Sequence, residues 1–121
     1  MANLSREELL TQLAWFTGTT QLYFHPLFKA YKYTDGVRFL AQNAGAYWLL
    51  EYILSNQTLP VLKNKTFQVW KMKVVNSSAI IKVEDGNDNV LKEFKISFTD
   101  FPLKEITLWV EGNTLLLPSE H

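Results

Sequence analysis

The sequence predicts an α+β fold in which two N-terminal helices pack on one face of a four- to five-stranded antiparallel meander sheet. Three observations predict it. Apolar residues recur at helical spacing in the first half of the chain, and they alternate with polar residues in the second half. Short turn signals of Asn, Gly, Asp and Ser separate the alternating segments. Helices followed by strands are typical of the α+β class.

The composition is that of one globular domain, residues 1–121. Hydrophobic residues make up 47% of the chain and aromatic residues 14%, which excludes global disorder. Twelve basic residues balance twelve acidic ones, which argues against a strong nucleic-acid binder and mildly favours self-association. The absence of cysteine excludes disulfides, thiolate metal sites and a cysteine nucleophile. An acidic N-terminal stretch and short apolar runs predict a cytoplasmic protein without a membrane segment.

The first helix is predicted from Arg6 to Phe16. Ser5 and Glu8 have the spacing of a capping box, and the apolar residues that follow lie on one side. The next segment, residues 19–32, is rich in aromatic residues, but Pro26 argues against a continuous helix there. We therefore expect an ordered, irregular connection that leaves room for one short strand or turn.

The second helix is predicted from the residues between Tyr33 and Leu54, with Thr34 as its N-cap. Its second half is apolar on nearly every side, so it should be the central helix of the domain, with Trp48 buried. Gly45 interrupts it at a cost of about 1 kcal/mol relative to alanine, which predicts the close approach of another backbone.

Five strands are predicted after Pro60 from two-residue periodicity and from their Val, Ile, Phe and Thr content. Turn signals between successive strands predict that sequence neighbours pair. The predicted strands are Phe67–Val75, Ser78–Glu84, Val90–Phe98, Glu105–Glu111 and Thr114–Leu117.

Several short strings, taken together and in order, resemble a family of small bacterial proteins, largely cyanobacterial, that is known as a domain of unknown function. The strings are FTGTTQLYFHPL (16–27), YTDGVRFLAQNAGAYWLLEYI (33–53), FQVWKMKV (67–74), EDGN (84–87), TDFPL (99–103) and LLLPSE (115–120). The resemblance implies a bacterial, cytoplasmic, single-domain protein. It implies no activity, substrate or cofactor.

The first candidate site is an acid–base constellation around His25, the internal histidine; His121 is the last residue and is expected to be mobile. An imidazole can act as a general base near neutral pH, and Asp35 or Asp100 could orient it. The alternative is that His25 holds its loop together by hydrogen bonds to the backbone. The candidate ligand-binding side chains are aromatic: Tyr23, Tyr33, Tyr47 and Trp48.

Two other patterns have simple structural explanations. The DGNDN segment that begins at Asp85 is rich in oxygen ligands, but the position where an EF-hand places its glutamate is Lys92, so we expect a tight turn and no metal site. A basic stretch contains Trp70, which alternates to the opposite strand face and therefore fits a half-buried strand better than a nucleic-acid surface. The basic residues are Lys63, Lys65, Lys71 and Lys73.

The sequence therefore favours a non-catalytic binding or protein-interaction module with an unknown protein or small-molecule partner, no cofactor, and a possible homo-oligomeric state. The alternative is a small hydrolase or transferase that uses His25 as base with Asp35 or Asp100 as orienter. A further alternative is weak nucleic-acid binding through the four lysines. P-loop, GxGxxG, GxSxG and HExxH motifs are absent.

Overall fold

Residues 4–18 and 21–121 are described by the computed structural model, which therefore leaves out Thr19 and Thr20 of the predicted irregular connection. The described residues form three α-helices, a short 3₁₀ helix at Pro118–Glu120 and one seven-stranded mixed sheet. In chain order the elements are α1 (Arg6–Leu13), β1 (Leu22–Phe24), β2 (Lys32–Thr34), α2 (Asp35–Asn43), α3 (Tyr47–Ser55), β3 (Phe67–Val75), β4 (Ser78–Glu84), β5 (Val90–Ile96), β6 (Glu105–Glu111) and β7 (Thr114–Leu116). The α+β class is thus confirmed.

The two predicted helix starts are confirmed. At α1 the Ser5 hydroxyl accepts the Glu8 N–H at 3.1 Å, and the Glu8 carboxylate accepts the Ser5 N–H at 3.0 Å. At α2 the Thr34 hydroxyl accepts the Val37 N–H at 3.2 Å. Each cap satisfies a backbone donor that the first helical turn leaves unpaired.

The prediction of a single second helix is wrong, because a turn at residues 44–46 separates α2 from α3. Gly45 has a φ of 61°, and a Cβ added there would meet nothing within 4 Å. The prediction of a close backbone approach is therefore wrong as well. Glycine is favoured because the turn between the helices uses the left-handed backbone region, which costs most other residues about 1–2 kcal/mol.

We expect Gly45→Ala and Gly45→Leu to lower the free energy of unfolding by a similar amount, about 1–2 kcal/mol each. The similarity follows because backbone strain is common to both, while the space around the Cβ position is open. Gly45→Asn should lose less, since asparagine tolerates the left-handed region. Urea unfolding of the three variants tests this; a much larger loss for leucine than for alanine would show that packing, and not strain, governs the site.

The strands of the second half lie close to where the sequence predicts them, but their order does not follow the chain. The bounds of β3, β4 and β6 match, whereas β5 ends at Ile96 and β7 at Leu116, each short of the predicted end. The sheet order is β1-β2-β7-β6-β3-β4-β5, so β6 pairs with β3 and not with β5. The antiparallel meander of four or five strands is therefore wrong: β1 and β2 add a hairpin, and β2 runs parallel to β7.

All three α-helices contribute to one core that covers one face of the sheet. The register places Trp70 beside Val83 and Leu108 on that face, and each of these side chains is buried. The intervening residues, such as Lys71, point to the opposite face, which we call the helix-free face. Among the described residues, no helix combines the length and the apolar character needed to cross a membrane.

Candidate functional site

A cleft of about 600 Å³ opens on the helix-free face, where β2 ends and the C-terminal residues fold back over the sheet. The register of β1, β2, β6 and β7 brings its side chains onto one surface. Most of the lining side chains can accept hydrogen bonds, and two of them are carboxylates. The leucines form an apolar floor below them. The lining residues are Gln21, Leu22, Thr34, Glu111, Thr114, Leu116, Glu120 and His121.

Glu120 is buried at the base of this cleft and closes the N-terminus of α2. Its carboxylate accepts the Thr34 hydroxyl at 2.6 Å and the Gly36 N–H at 3.1 Å. It also accepts the N–H of Leu117 at 3.0 Å, which closes the 3₁₀ turn. A carboxylate at this position is favoured by the helix dipole as well as by the backbone donors.

Gly36 makes this approach possible. A Cβ at residue 36 would lie 2.7 Å from the Glu120 carboxyl group, a distance at which one of the two must move. The Thr34-Asp35-Gly36 sequence thus serves three purposes: a cap, an acidic first turn and a space for the returning chain.

Burial raises the pKa of the Glu120 carboxyl above its ordinary value, and the neighbouring Asp35 side chain adds a smaller rise. The donors from Thr34, Leu117 and Gly36 oppose this shift. Burial thus favours the protonated form of Glu120 relative to an ordinary glutamate, at the start of α2.

The opposite wall of the cleft carries an exposed carboxylate–imidazole pair. The Nε2 atom of His121 lies 3.2 Å from the Glu111 carboxylate, and both side chains are about half exposed. The His121 ring also packs edge-on against Trp109, with 5.1 Å between ring centroids. His121 thus makes two side-chain contacts, with Glu111 and Trp109, while its predicted mobility stays a prediction.

The predicted base His25 lies elsewhere, with only 2% of its surface exposed. Its Nδ1 atom accepts the N–H groups of Leu27 at 3.1 Å and Phe28 at 3.3 Å. The proton of the neutral ring therefore sits on Nε2, which lies 3.7 Å from the carboxylate of Glu51. These contacts agree with the loop-holding interpretation, and the catalytic role of His25 stays a prediction.

The two predicted orienting carboxylates are found at different places. Asp35 neighbours Glu120, as described above. Asp100 is exposed and lines a separate groove of about 300 Å³ beside Arg6 and Lys104. Thr99 next to it is buried, and its hydroxyl accepts the N–H of Phe101 at 3.1 Å, as expected of a corner that ends a strand.

Three of the four predicted ligand-binding aromatics come together on the helix side of the β1–β2 hairpin. Tyr23 stacks on Tyr33 with 5.8 Å between ring centroids, and the Arg38 guanidinium lies 4.6 Å from the Tyr23 ring centroid. Hydrogen bonds to Tyr23 and Tyr47 raise the pKa of Arg38, and burial raises the pKa of Tyr33. Trp48 packs against the core and is partly buried, which is less than the full burial predicted. Ligand binding by these residues stays a prediction.

The lysines and the Asp85 turn have the predicted local structure. Lys71 and Lys73 point to the helix-free face, where Lys71 pairs with Glu84 at 3.1 Å. Lys63 and Lys65 are exposed in the loop before β3. The Asp85 carboxylate accepts the Asn87 and Asn89 N–H groups at 2.8 and 3.3 Å, which is the bonding of a tight turn.

The model of a family of unknown function, DUF6876, matches residues 7–121. The chain belongs to that family. No curated protein matches the chain, and neither does any solved structure. The resemblance to a domain of unknown function is thus confirmed, while a bacterial origin stays a prediction.

In this DUF6876 member, none of the residues that line the cleft is predicted from the sequence as a site residue, including its three titratable side chains, Glu111, Glu120 and His121. A local signal for Glu120 existed, since a glutamate three residues after Leu117 has the spacing of a cap. No local signal links Glu120 to Thr34, because 86 positions separate them.

Proposed function

We propose that the protein is a non-catalytic binding module whose cleft on the helix-free face takes a ligand that carries a cationic amine. The observation that carries this proposal is the clustering of Glu111 and Glu120 in one cleft of about 600 Å³. None of the lining residues, all of them described, is Lys or Arg. A desolvated ammonium or guanidinium group is stabilised by such carboxylates through charge-assisted hydrogen bonds.

The floor of the cleft adds an apolar requirement. Leu22 and Leu116 line it, and Leu116 faces Trp109 across the β6–β7 pair. An aliphatic amine, such as a lysine side chain or a polyamine, would place its methylene groups on this floor and its nitrogen near Glu111.

The bonding within the cleft supports binding more than catalysis. The Thr34 hydroxyl donates to Glu120 and accepts from the Val37 N–H, so it is held at both ends. Glu120 accepts hydrogen bonds from three donors. Groups fixed in this way are poor nucleophiles or bases, since reaction would first have to break structural hydrogen bonds.

Nucleic-acid binding by the lysines has less support. On the helix-free face Lys71 is opposite Lys82, but Lys71 also pairs with Glu84. Lys82 is opposite Glu93, and Lys73 is opposite Glu105. Opposite charges in facing positions of neighbouring strands neutralise one another, so the face offers no continuous cationic track for a phosphate backbone.

The proposal is tested by thermal unfolding of the protein with putrescine, spermidine and arginine. An amine that binds only the folded state at 100 times its dissociation constant adds about 2.7 kcal/mol of stability. Glu111→Gln should weaken this binding roughly tenfold or more, because a charged hydrogen-bond partner contributes about 1.5–3 kcal/mol.

Glu105→Gln is the matched control, since Glu105 and Glu111 are the two ends of β6, are both exposed, and only Glu111 lines the cleft. The control should bind the amine as the unmodified protein does. Amines that leave the melting temperature unchanged at millimolar concentration, or that shift it equally in Glu111→Gln, would count against the cleft as a cation site.

A further inference from the structure

The strand β5 (Val90–Ile96) forms one edge of the sheet, and within the described residues it pairs with β4 alone. An edge strand of seven residues presents a row of backbone donors and acceptors to any strand that can lie beside it. The opposite edge is formed by β1, which has three residues. The longer edge is therefore the better template for strand pairing.

The hydrogen-bond alternation shows which residues of β5 face outward. Val74 donates its N–H to Lys104, and Thr66 accepts the Gly112 N–H, so even-numbered residues of β3 bond toward β6. Odd-numbered residues of β3 then bond to the even-numbered residues of β4 that face them, such as Ser78 opposite Val75.

The same alternation continues into β5. Ile81, being odd-numbered, directs its backbone bonds away from β3 and toward Phe94. The N–H and C=O groups of Glu93 and Lys95 must then point to the open edge. These two residues would supply the backbone bonds to a further strand.

The hydrophobic core extends to this edge of the sheet, and its apolar side chains there are only partly covered. The Phe94 ring stacks on Trp70 with 5.7 Å between centroids and contacts Tyr52 edge-on at 5.4 Å. Phe94 remains half-buried, as do its neighbours Leu91 and Ile96, although all three pack against the core. A strand placed beside β5 would remove this apolar rim from water.

We propose that two copies of the chain associate through β5, antiparallel and about a two-fold axis at Phe94, so that the two sheets become one. In this register Glu93 of each copy lies opposite Lys95 of the other, and both residues point to the helix-free face. The two neighbouring registers that still pair the outward-facing backbone groups place Glu93 opposite Glu93 or Lys95 opposite Lys95. Both are unfavourable like-charge pairs. The charges therefore select one alignment.

Lysines at a sheet edge are also a common device against pairing, and β5 carries Lys92 and Lys95. In the proposed dimer neither opposes association. Lys95 meets a glutamate, and the Lys92 nitrogen lies 5.8 Å from the Phe94 ring centroid, so its aliphatic stem can cover the apolar rim.

A charge exchange tests this register. Glu93→Lys alone would place Lys against Lys at both symmetric contacts, and Lys95→Glu alone would place Glu against Glu. Each variant should therefore dimerise at least roughly tenfold more weakly than the unmodified protein. An equimolar mixture of the two variants should form a heterodimer, because every contact is again between opposite charges.

Sedimentation equilibrium over a range of concentrations measures the association, with circular dichroism to show that each variant is folded. Lys63→Glu, an exposed lysine in a loop, is the control and should dimerise normally. Hydrogen exchange should protect the Glu93 and Lys95 amides only at concentrations where the dimer forms. A protein that is monomeric at all concentrations, or a dimer that both charge variants leave intact, would overturn the proposal.

Discussion

Trp70→Ala is expected to lower the free energy of unfolding by about 3–5 kcal/mol, the range measured for large aromatic side chains removed from protein cores. Trp70 lies in the middle of β3, between β4 and β6, and is 2% exposed. Its ring stacks on Phe94, and its Nε1–H donates to the Gln68 side chain at 2.8 Å. Alanine would leave a cavity that neighbouring strands, fixed by their ladders on both sides, cannot fill.

Two other variants separate the causes of this loss. Trp70→Phe keeps an aromatic ring and removes the N–H donor, and it should cost less because Gln68 Oε1 still accepts from Gln57 at 2.9 Å. Trp15→Ala makes the same substitution at a side chain that is 78% exposed, and it should leave stability unchanged. Urea denaturation measures all three. Equal losses for Trp70→Ala and Trp15→Ala would contradict the assignment of β3 to the centre of the core.

The position of Trp70 could be predicted from the sequence because strand alternation is a local property. A period of two places Trp70 and Met72 on one face and Lys71 and Lys73 on the other, whichever strands lie beside them. The burial of the first pair and the exposure of the second confirm this. The helix caps at Ser5 and Thr34 were predictable for the same reason, since each bond spans three residues.

The strand order could not be predicted in this way. The turn signals identify tight hairpins, such as the one between β3 and β4, but Thr99 to Leu103 is a corner that leaves the destination of β6 open. After this corner the chain crosses past β4 and β3. The strand β6 then pairs with the side of β3 that does not face β4. Strands of three residues, such as β1 and β2, are too short for a two-residue alternation of apolar and polar side chains to be recognised in the sequence.

The break in the second helix explains why Trp48 is not fully buried. A continuous helix would extend the stripe from Val37 through Ala44 to Trp48, and all three would share one buried face. The left-handed turn at Gly45 reorients α3, so the stripe does not continue across it. Val37 and Ala44 are buried as predicted, whereas Trp48 is only half-buried.

Glu120→Ala is expected to destabilise the protein by about 2–3 kcal/mol, since it removes the common acceptor of three donors. The Thr34 hydroxyl and the N–H groups of Gly36 and Leu117 would all lose this partner. Water entering from the open cleft can replace part of this bonding, which keeps the expected loss below the sum of three buried donors. The C-terminal 3₁₀ turn should also detach, and hydrogen exchange at Leu117 would report its release.

Glu120→Gln separates the contribution of the side chain's shape to stability from the contribution of its ionisation. Because burial and Asp35 raise the pKa of Glu120 above the ordinary value of 4.5, the folded state favours the protonated form. The associated stability is then fully present below that ordinary value and is lost as the pH rises through the raised pKa of the folded state. Glutamine cannot ionise, so its variant should lack this loss.

The measurement is the difference in unfolding free energy between the unmodified protein and Glu120→Gln, followed from pH 4 to pH 8. The carboxylates that do not interact with Glu120 titrate alike in both proteins and cancel in that difference, which should move in favour of glutamine as the pH rises. A difference that stays constant with pH would show that Glu120 binds its proton equally in the folded and unfolded states. A difference that moves in favour of glutamate would mean that the three donors, and not burial, dominate the electrostatics at the start of α2.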